Sequence, residues 1–239
     1  MRTHATAQHI GSRSHQCDAT ATYTHHGLRA YALLDGIGST TTVQAWTRYT
    51  ARRLARAAAT TCDALVGLTR VYHQAANEPG RDDPFVELPA ACAVVAVART
   101  DGILTVAWCG DTRAYLLVND KLEQLTVDHN MRQLFIDEGL PYGPYARNQV
   151  TSYLGNTDTD PPPGERSLIG VTLRPSAGRL LLASDGAYEL LEDSCRDLAQ
   201  YLTGTPAQAA RNFTQAAIDH AALHADNATV LITDLEGTS

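Results

Sequence analysis

The chain has 239 residues, with 19 Lys and Arg against 26 Asp and Glu and a formal net charge of −7. Hydrophobic residues make up 44% and charged ones 19%, a balance that excludes wholesale disorder. The acid excess argues against an extended nucleic-acid groove, which needs Lys and Arg to displace counterions. The sequence contains no apolar run of roughly 18 residues that could span a membrane, and Met1 to His9 lacks the apolar stretch of a signal peptide. A cytoplasmic protein is expected, and five scattered cysteines without a CxxC pair read as free, mostly buried thiols.

In chain order, Leu28 to Leu34 reads as a strand ending at Asp35-Gly36. Thr42 to Val71, rich in Ala, Leu and Arg without Pro, predicts helix, and Gly67 either divides it or is tolerated inside it. Asn77 to Pro84 reads as a loop. Ala90 to Ala98 and Ile103 to Cys109 flank Arg99-Thr-Asp-Gly102, a hairpin signal. Ala114 to Val118 and Lys121 to Leu125 flank Asn119-Asp120 in the same manner. Met131 to Glu138 predicts a short helix stopped by Gly139 and Pro141. Thr157 to Glu165 is a Pro-rich loop, and Ser167 to Leu173 with Arg179 to Ala183 reads as a further hairpin around Pro175-Ser-Ala-Gly178. Pro206 to Leu223 predicts a helix capped by Thr205, and Ala228 to Asp234 a last strand. Short strands with tight turns favour antiparallel pairing. Grouped strands with long helices around them make a layered α+β sandwich in one domain.

The aspartates fall in a pattern. Asp35 follows an apolar strand and precedes Gly36; Asp111 follows Leu104 to Gly110; Asp185 follows Leu180 to Ser184 and precedes Gly186; Asp226 stands just before the last strand. In an antiparallel sheet the end of one strand lies beside the start of its neighbour, so the four can meet at one edge. Carboxylates gathered there repel unless cations hold them, and all-oxygen ligands suit Mg²⁺ or Mn²⁺. Asp-Gly is also an ordinary turn dipeptide, and any one of these sites alone is more often just a turn; it is the set of four, each abutting a buried strand, that points to a metal.

Leu33-Leu-Asp-Gly-Ile-Gly38 resembles the Asp-Gly-x-Gly-Gly motif of the metal-dependent Ser/Thr protein phosphatases of the 2C type. Ala107-Trp-Cys-Gly-Asp-Thr-Arg-Ala-Tyr115, Leu125-Thr-Val-Asp-His129, Leu180-Leu-Leu-Ala-Ser-Asp-Gly186 and Asp226-Asn-Ala-Thr-Val230 resemble further motifs of that family, in order, across about residues 11–235. The resemblance implies a single phosphatase-like domain over 1–239, folded as a four-layer αββα sandwich of two antiparallel sheets flanked by helices. It implies two Mn²⁺ or Mg²⁺ ions, with a third at a weaker site. Asp35 would bridge the pair with the Gly36 carbonyl on one ion; Asp185 and Asp226 would hold the second; Asp111 would join Asp185 at the third. Arg13-Ser-His-Gln-Cys-Asp18 resembles the bacterial Arg-x-x-Asn-Glu/Gln-Asp pattern, which makes Arg13 the phosphate-binding arginine and Asp18 the residue that orients metal-bound waters. The implied activity is hydrolysis of phosphoserine and phosphothreonine by a metal-bound hydroxide, on phosphoproteins made by a Ser/Thr kinase, in signalling, without nucleic acid or membrane.

Four positions depart from the family pattern: Gln16, Cys17, Ser39 and Ser152. Cys17 and Ser39 motivate the alternative of a catalytically silent, phosphatase-like regulatory binding module. A third reading is a phosphatase dedicated to one switch protein. His220 and His224 lack the glutamate of a zinc HExxH helix and read as solvated, His129 reads as a local hydrogen-bonding residue, and Arg48, Arg52, Arg53 and Arg56 read as a solvated helix face.

Overall fold

The computed structural model describes residues 4–83, 85–157, 167–221 and 225–235. The elements are β1 (His4–His9), β2 (Ala19–His25), β3 (Leu28–Ile37), α1 (Thr41–Thr61), α2 (Ala64–Ala76), β4 (Ala90–Ala98), β5 (Ile103–Cys109), β6 (Arg113–Val118) and β7 (Lys121–Gln124). They continue with α3 (Met131–Asp137), β8 (Gly170–Pro175), β9 (Gly178–Ala183), α4 (Asp185–Asp193), α5 (Pro206–Asp219) and β10 (Ala228–Leu235). One sheet runs β1-β10-β9-β6-β7 and the other β2-β3-β4-β5-β8, with antiparallel pairing throughout.

Alternation along the strands builds the layers. On β3, Tyr31 and Leu33 face the opposite sheet together with Val94 and Val106 of their own sheet, and there they meet Leu180, Leu182 and Leu231. Its other face, Ala30, Ala32 and Leu34, packs on Leu54, Ala55 and Ala58 of α1 and Leu68 of α2. On β9, Leu181 and Ala183 point outward to Tyr188 of α4 and Phe213 of α5. Two sheets therefore bury three apolar seams, and the αββα sandwich follows.

Three expectations need correction. The long helical stretch divides at Cys62, which takes a left-handed φ of 57°, and Asp63 then caps α2 by accepting from the Val66 amide. Gly67 lies inside α2, where a Cβ would come within 2.4 Å of the Ala58 Cα; it is a close-packing residue, not the break. The strands around Pro175 to Gly178 are no hairpin: β8 pairs with β5, whereas β9 pairs with β10 and β6. That connection, like Gly110 to Thr112, carries the chain from one sheet to the other. Third, Asp185 opens a helix, α4, in place of a turn.

The β4–β5 hairpin is as expected, with Ala98 opposite Leu104. The segments 158–165 and 222–224, which hold much of the Pro-rich loop, His224 and the expected end of the last helix, lie outside the described residues. Among the described residues no helix is long and apolar enough to cross a membrane.

Candidate active site

The chain brings its motif residues to one end of the sandwich. Asp35 sits near the end of β3, opposite Cys92 of β4. Asp111 lies in the crossing from β5 to β6, Asp185 is the first residue of α4, and Asp226 precedes β10. With Arg13, from the β1–β2 connection, they line a single cavity of about 190 Å³ whose wall also includes Gly36, Cys92, Asn148 and Val150. Asp18 lies beneath, 2% exposed.

The glycines of both Asp-Gly pairs are demanded by close backbone approach. A Cβ on Gly36 would stand 2.7 Å from the Cys17 carbonyl oxygen, and one on Gly186 would stand 2.4 Å from the Asn227 carbonyl oxygen. Gly11, at φ +63°, lets the N-terminal segment pass against the Asp226 carbonyl, which a Cβ would meet at 2.2 Å. Asn227 fastens these segments together. Its Oδ1 accepts from the Cys17 amide at 2.7 Å and its Nδ2 donates to the Ile10 carbonyl at 2.9 Å.

Ser184, at the N-cap of α4, does not use its hydroxyl as a cap. It donates to Asp18 Oδ2 at 2.9 Å and accepts from the Thr229 amide at 3.0 Å. Asp18 Oδ1 is buried without a hydrogen-bond partner among the described residues. A buried carboxylate oxygen left this way carries a desolvation penalty that a cation or an ordered water would relieve.

Electrostatics agree with that need. Burial raises Asp35 well above the usual carboxylate range, and the charges of Asp18 and Asp185 raise it further. Burial, then Asp185, pushes Asp18 and Asp111 up to about 7. Asp185 is raised by burial and by Asp226, against a hydrogen bond with Asp35 that lowers it. Arg13 Nη2 donates to Asp226 Oδ2. Among the described residues no three His, Cys, Asp or Glu side chains already stand grouped as a ligand set. The carboxylates are instead tied to each other and to Arg13, so an entering cation must exchange the Asp35–Asp185 and Arg13–Asp226 contacts for its own. The donor set is all oxygen, the chemistry of a hard divalent ion.

A second layer holds these groups in place, and sequence reasoning passed over it. Tyr188 donates its hydroxyl to the Asp111 carbonyl at 2.9 Å, and the Arg113 guanidinium stacks 3.9 Å over the Tyr188 ring. Arg113 also makes a two-pronged bond to Asp128, at 2.8 and 2.7 Å. Arg147 pairs with Glu189 at 3.3 Å and Asp193 at 2.7 Å, which ties the segment carrying Asn148 to α4. Burial and the charge of Asp185 push Glu189 up to about 8. The signal for Arg113 was its place in Gly110-Asp-Thr-Arg113; for Glu189 there was none.

The departing residues lie off the cavity wall. Cys17 is 1% exposed with its Sγ toward the Thr40 carbonyl, Gln16 Oε1 accepts from the Asp18 amide, and Ser39 bonds Ser14. Ser152 donates to the Leu168 carbonyl at 2.6 Å. His129 stacks on Trp108 and its amide donates to Gly110, as a local structural residue does. His220 bonds its own helix and accepts from Arg196.

Residues 35–134 match the family model described as protein phosphatase 2C. No curated protein matches the chain. Among solved structures, the S. agalactiae serine/threonine phosphatase matches with a TM-score of 0.79 at 19% identity, covering 98% of this chain and 99% of that one. The Mycobacterium tuberculosis serine/threonine phosphatase PstP/Ppp matches at 0.73 and 23% identity, over 98% of each chain. The catalytic domain of the phosphatase PstP in complex with two manganese ions matches at 0.71 and 22%, over 97% of each. Residues 35–134 thus resemble protein phosphatase 2C in sequence, and the chain shares its fold over nearly its whole length with solved bacterial Ser/Thr phosphatases.

Proposed function

We propose that the chain is a Mn²⁺- or Mg²⁺-dependent phosphoprotein phosphatase, a single domain over 1–239, acting in the cytoplasm on phosphoserine and phosphothreonine made by a Ser/Thr kinase. The observation that carries this reading is the gathering of Asp35, Asp111, Asp185 and Asp226 with Arg13 around one cavity. The residues fit the ions: the donors are oxygens, the carboxylates repel, and Asp18 presents a buried unpartnered oxygen. In this reading Asp35 would hold both ions of the pair, with the Gly36 carbonyl on one and Asp185 and Asp226 on the second, and Asp111 with Asp185 would hold a third. Bound there, such ions would lower the pKa of water and neutralise charge on phosphoryl oxygens.

The chain's own groups do the rest. Arg13, its side chain 47% exposed at the rim, turns its planar fork from Asp226 to two phosphate oxygens. Asp18, fixed by Ser184, orients water over the cavity floor. The Arg147 pairs keep Asn148 at the wall, where the phosphorylated side chain enters.

The test is hydrolysis of a phosphothreonine peptide with Mn²⁺, beside EDTA and an Asp185→Ala control. Turnover that needs Mn²⁺ and vanishes in both controls supports the phosphatase. A folded chain that binds Mn²⁺ without turnover is the regulatory binding module that Cys17 and Ser39 suggested.

A further inference from the structure

The helical hairpin of α1 and α2 has an unusual charge for this protein. In a chain of net −7, residues 41–76 carry five arginines, Arg48, Arg52, Arg53, Arg56 and Arg70, against the lone Asp63. Asp63 is occupied as the cap of α2. Arg53, Arg56 and Arg70, with Ala57, Thr60 and Gln74, line a groove of about 320 Å³ between the two helices. Among the described residues none of these three arginines has a carboxylate partner, whereas Arg81, Arg99, Arg113, Arg147, Arg174 and Arg179 are each paired.

Helix physics does not ask for this arrangement. The last turn of α1 holds no basic residue, so the arginines do not serve the helix dipole. Arg52 with Arg56, and Arg53 with Arg56, stand at spacings where like charges repel. The guanidiniums are nevertheless held in position by neutral groups. Arg53 lies 5.2 Å from the Tyr49 ring and donates to Gln74 Oε1 at 2.6 Å, and Arg56 lies 5.9 Å from the Tyr23 ring. Such contacts orient a cation without neutralising it.

We propose that this groove is an anion-binding site that docks an acidic, Asp- and Glu-rich segment of a partner protein. Arginine forks match carboxylates, and here they are spread over successive helical turns, which suits an extended segment carrying several charges. The acidic remainder of the chain opposes a long polyanion such as nucleic acid, and a short acidic segment meets less of that repulsion. The groove is separate from the cavity above: Arg56 lies about 22 Å along α1 from its start at Thr41. The inference does not depend on catalysis.

The test is fluorescence anisotropy of a short fluorescein-labelled Glu/Asp-rich peptide with the full chain, wild type against Arg53→Gln/Arg56→Gln/Arg70→Gln. Saturable binding that weakens with salt is expected, and the variant should lose about tenfold or more in affinity while keeping its thermal midpoint and its circular dichroism spectrum. Should the triple variant fail to fold, Arg70→Glu alone is expected to weaken binding in the same direction. Equal peptide binding by wild type and variant would overturn the proposal. So would a single-stranded oligonucleotide that binds at least as tightly as the peptide, or self-association of the chain through this face in place of peptide binding.

Discussion

Replacing Arg113 by Met tests how the second layer supports the site. Arg113 is 8% exposed and bonds Asp128 through Nε at 2.8 Å and Nη2 at 2.7 Å. Its Nη1 reaches Glu192 at 2.9 Å and the Tyr115 hydroxyl at 3.0 Å. Met keeps much of the apolar stem but leaves Asp128, itself 7% exposed, without its principal cation. Removing one member of a buried ion pair costs about 3–5 kcal/mol. For a chain of this size each kcal/mol moves the melting midpoint by about 2–4 °C, so the fall should be roughly 6–20 °C. Glu192, its side chain 37% exposed, can turn to water and adds little. Urea denaturation of Arg113→Met, Asp128→Asn and the double variant closes the cycle. The double variant should be more stable than Arg113→Met, because the stranded charge is gone. A loss below about 1 kcal/mol in the single variant, or no recovery in the double, would show that Arg113 and Asp128 are not a coupled buried pair.

Two further outcomes are expected. In the native state a thiol reagent should modify the exposed Cys62 and Cys195 quickly, and Cys17, Cys92 and Cys109 only on unfolding; burial pushes the Cys109 thiol up to about 12, which keeps it protonated and unreactive. A fast third equivalent would show that the cavity around Cys92 opens. The metal-free chain should also lose stability with rising pH. Asp18 and Asp111 titrate near 7 when folded, above their ordinary value of 3.8, so the stability tied to their protonated forms is full below about 4 and lost as pH rises through about 7. Thermal melts should therefore fall from about pH 5.5 to about pH 8, with added Mn²⁺ raising the midpoint most at the upper end. A metal-free midpoint that rises across this window would contradict the carboxylate repulsion.

What the sequence made legible depended on how much each element buries. β4 and β5 are apolar on both faces, and their Asp101-Gly102 turn is a local signal, so both strands were readable. β1 and β2 are edge strands, half-buried and rich in Thr and His, with no apolar run to find. The break at Cys62 was hidden because a left-handed residue there is usually Gly or Asn. Pro175 to Gly178 has hairpin-turn composition, and only the pairing partners of β8 and β9 reveal that it changes sheets. In the site, the acidic residues stood out by charge and position. Their supports, Ser184, Asn227, Tyr188 and Glu189, act through contacts between segments distant in the chain, which no local pattern encodes.

The most direct test of the central claim, that this cavity is a divalent-metal centre, is calorimetric titration of Mn²⁺ into the wild-type chain and Asp35→Asn. Wild type should take up at least two ions, and Asp35→Asn, folded by circular dichroism, should lose the tight sites together, since Asp35 would hold both. Undiminished Mn²⁺ uptake by Asp35→Asn, or none by wild type, would contradict that claim.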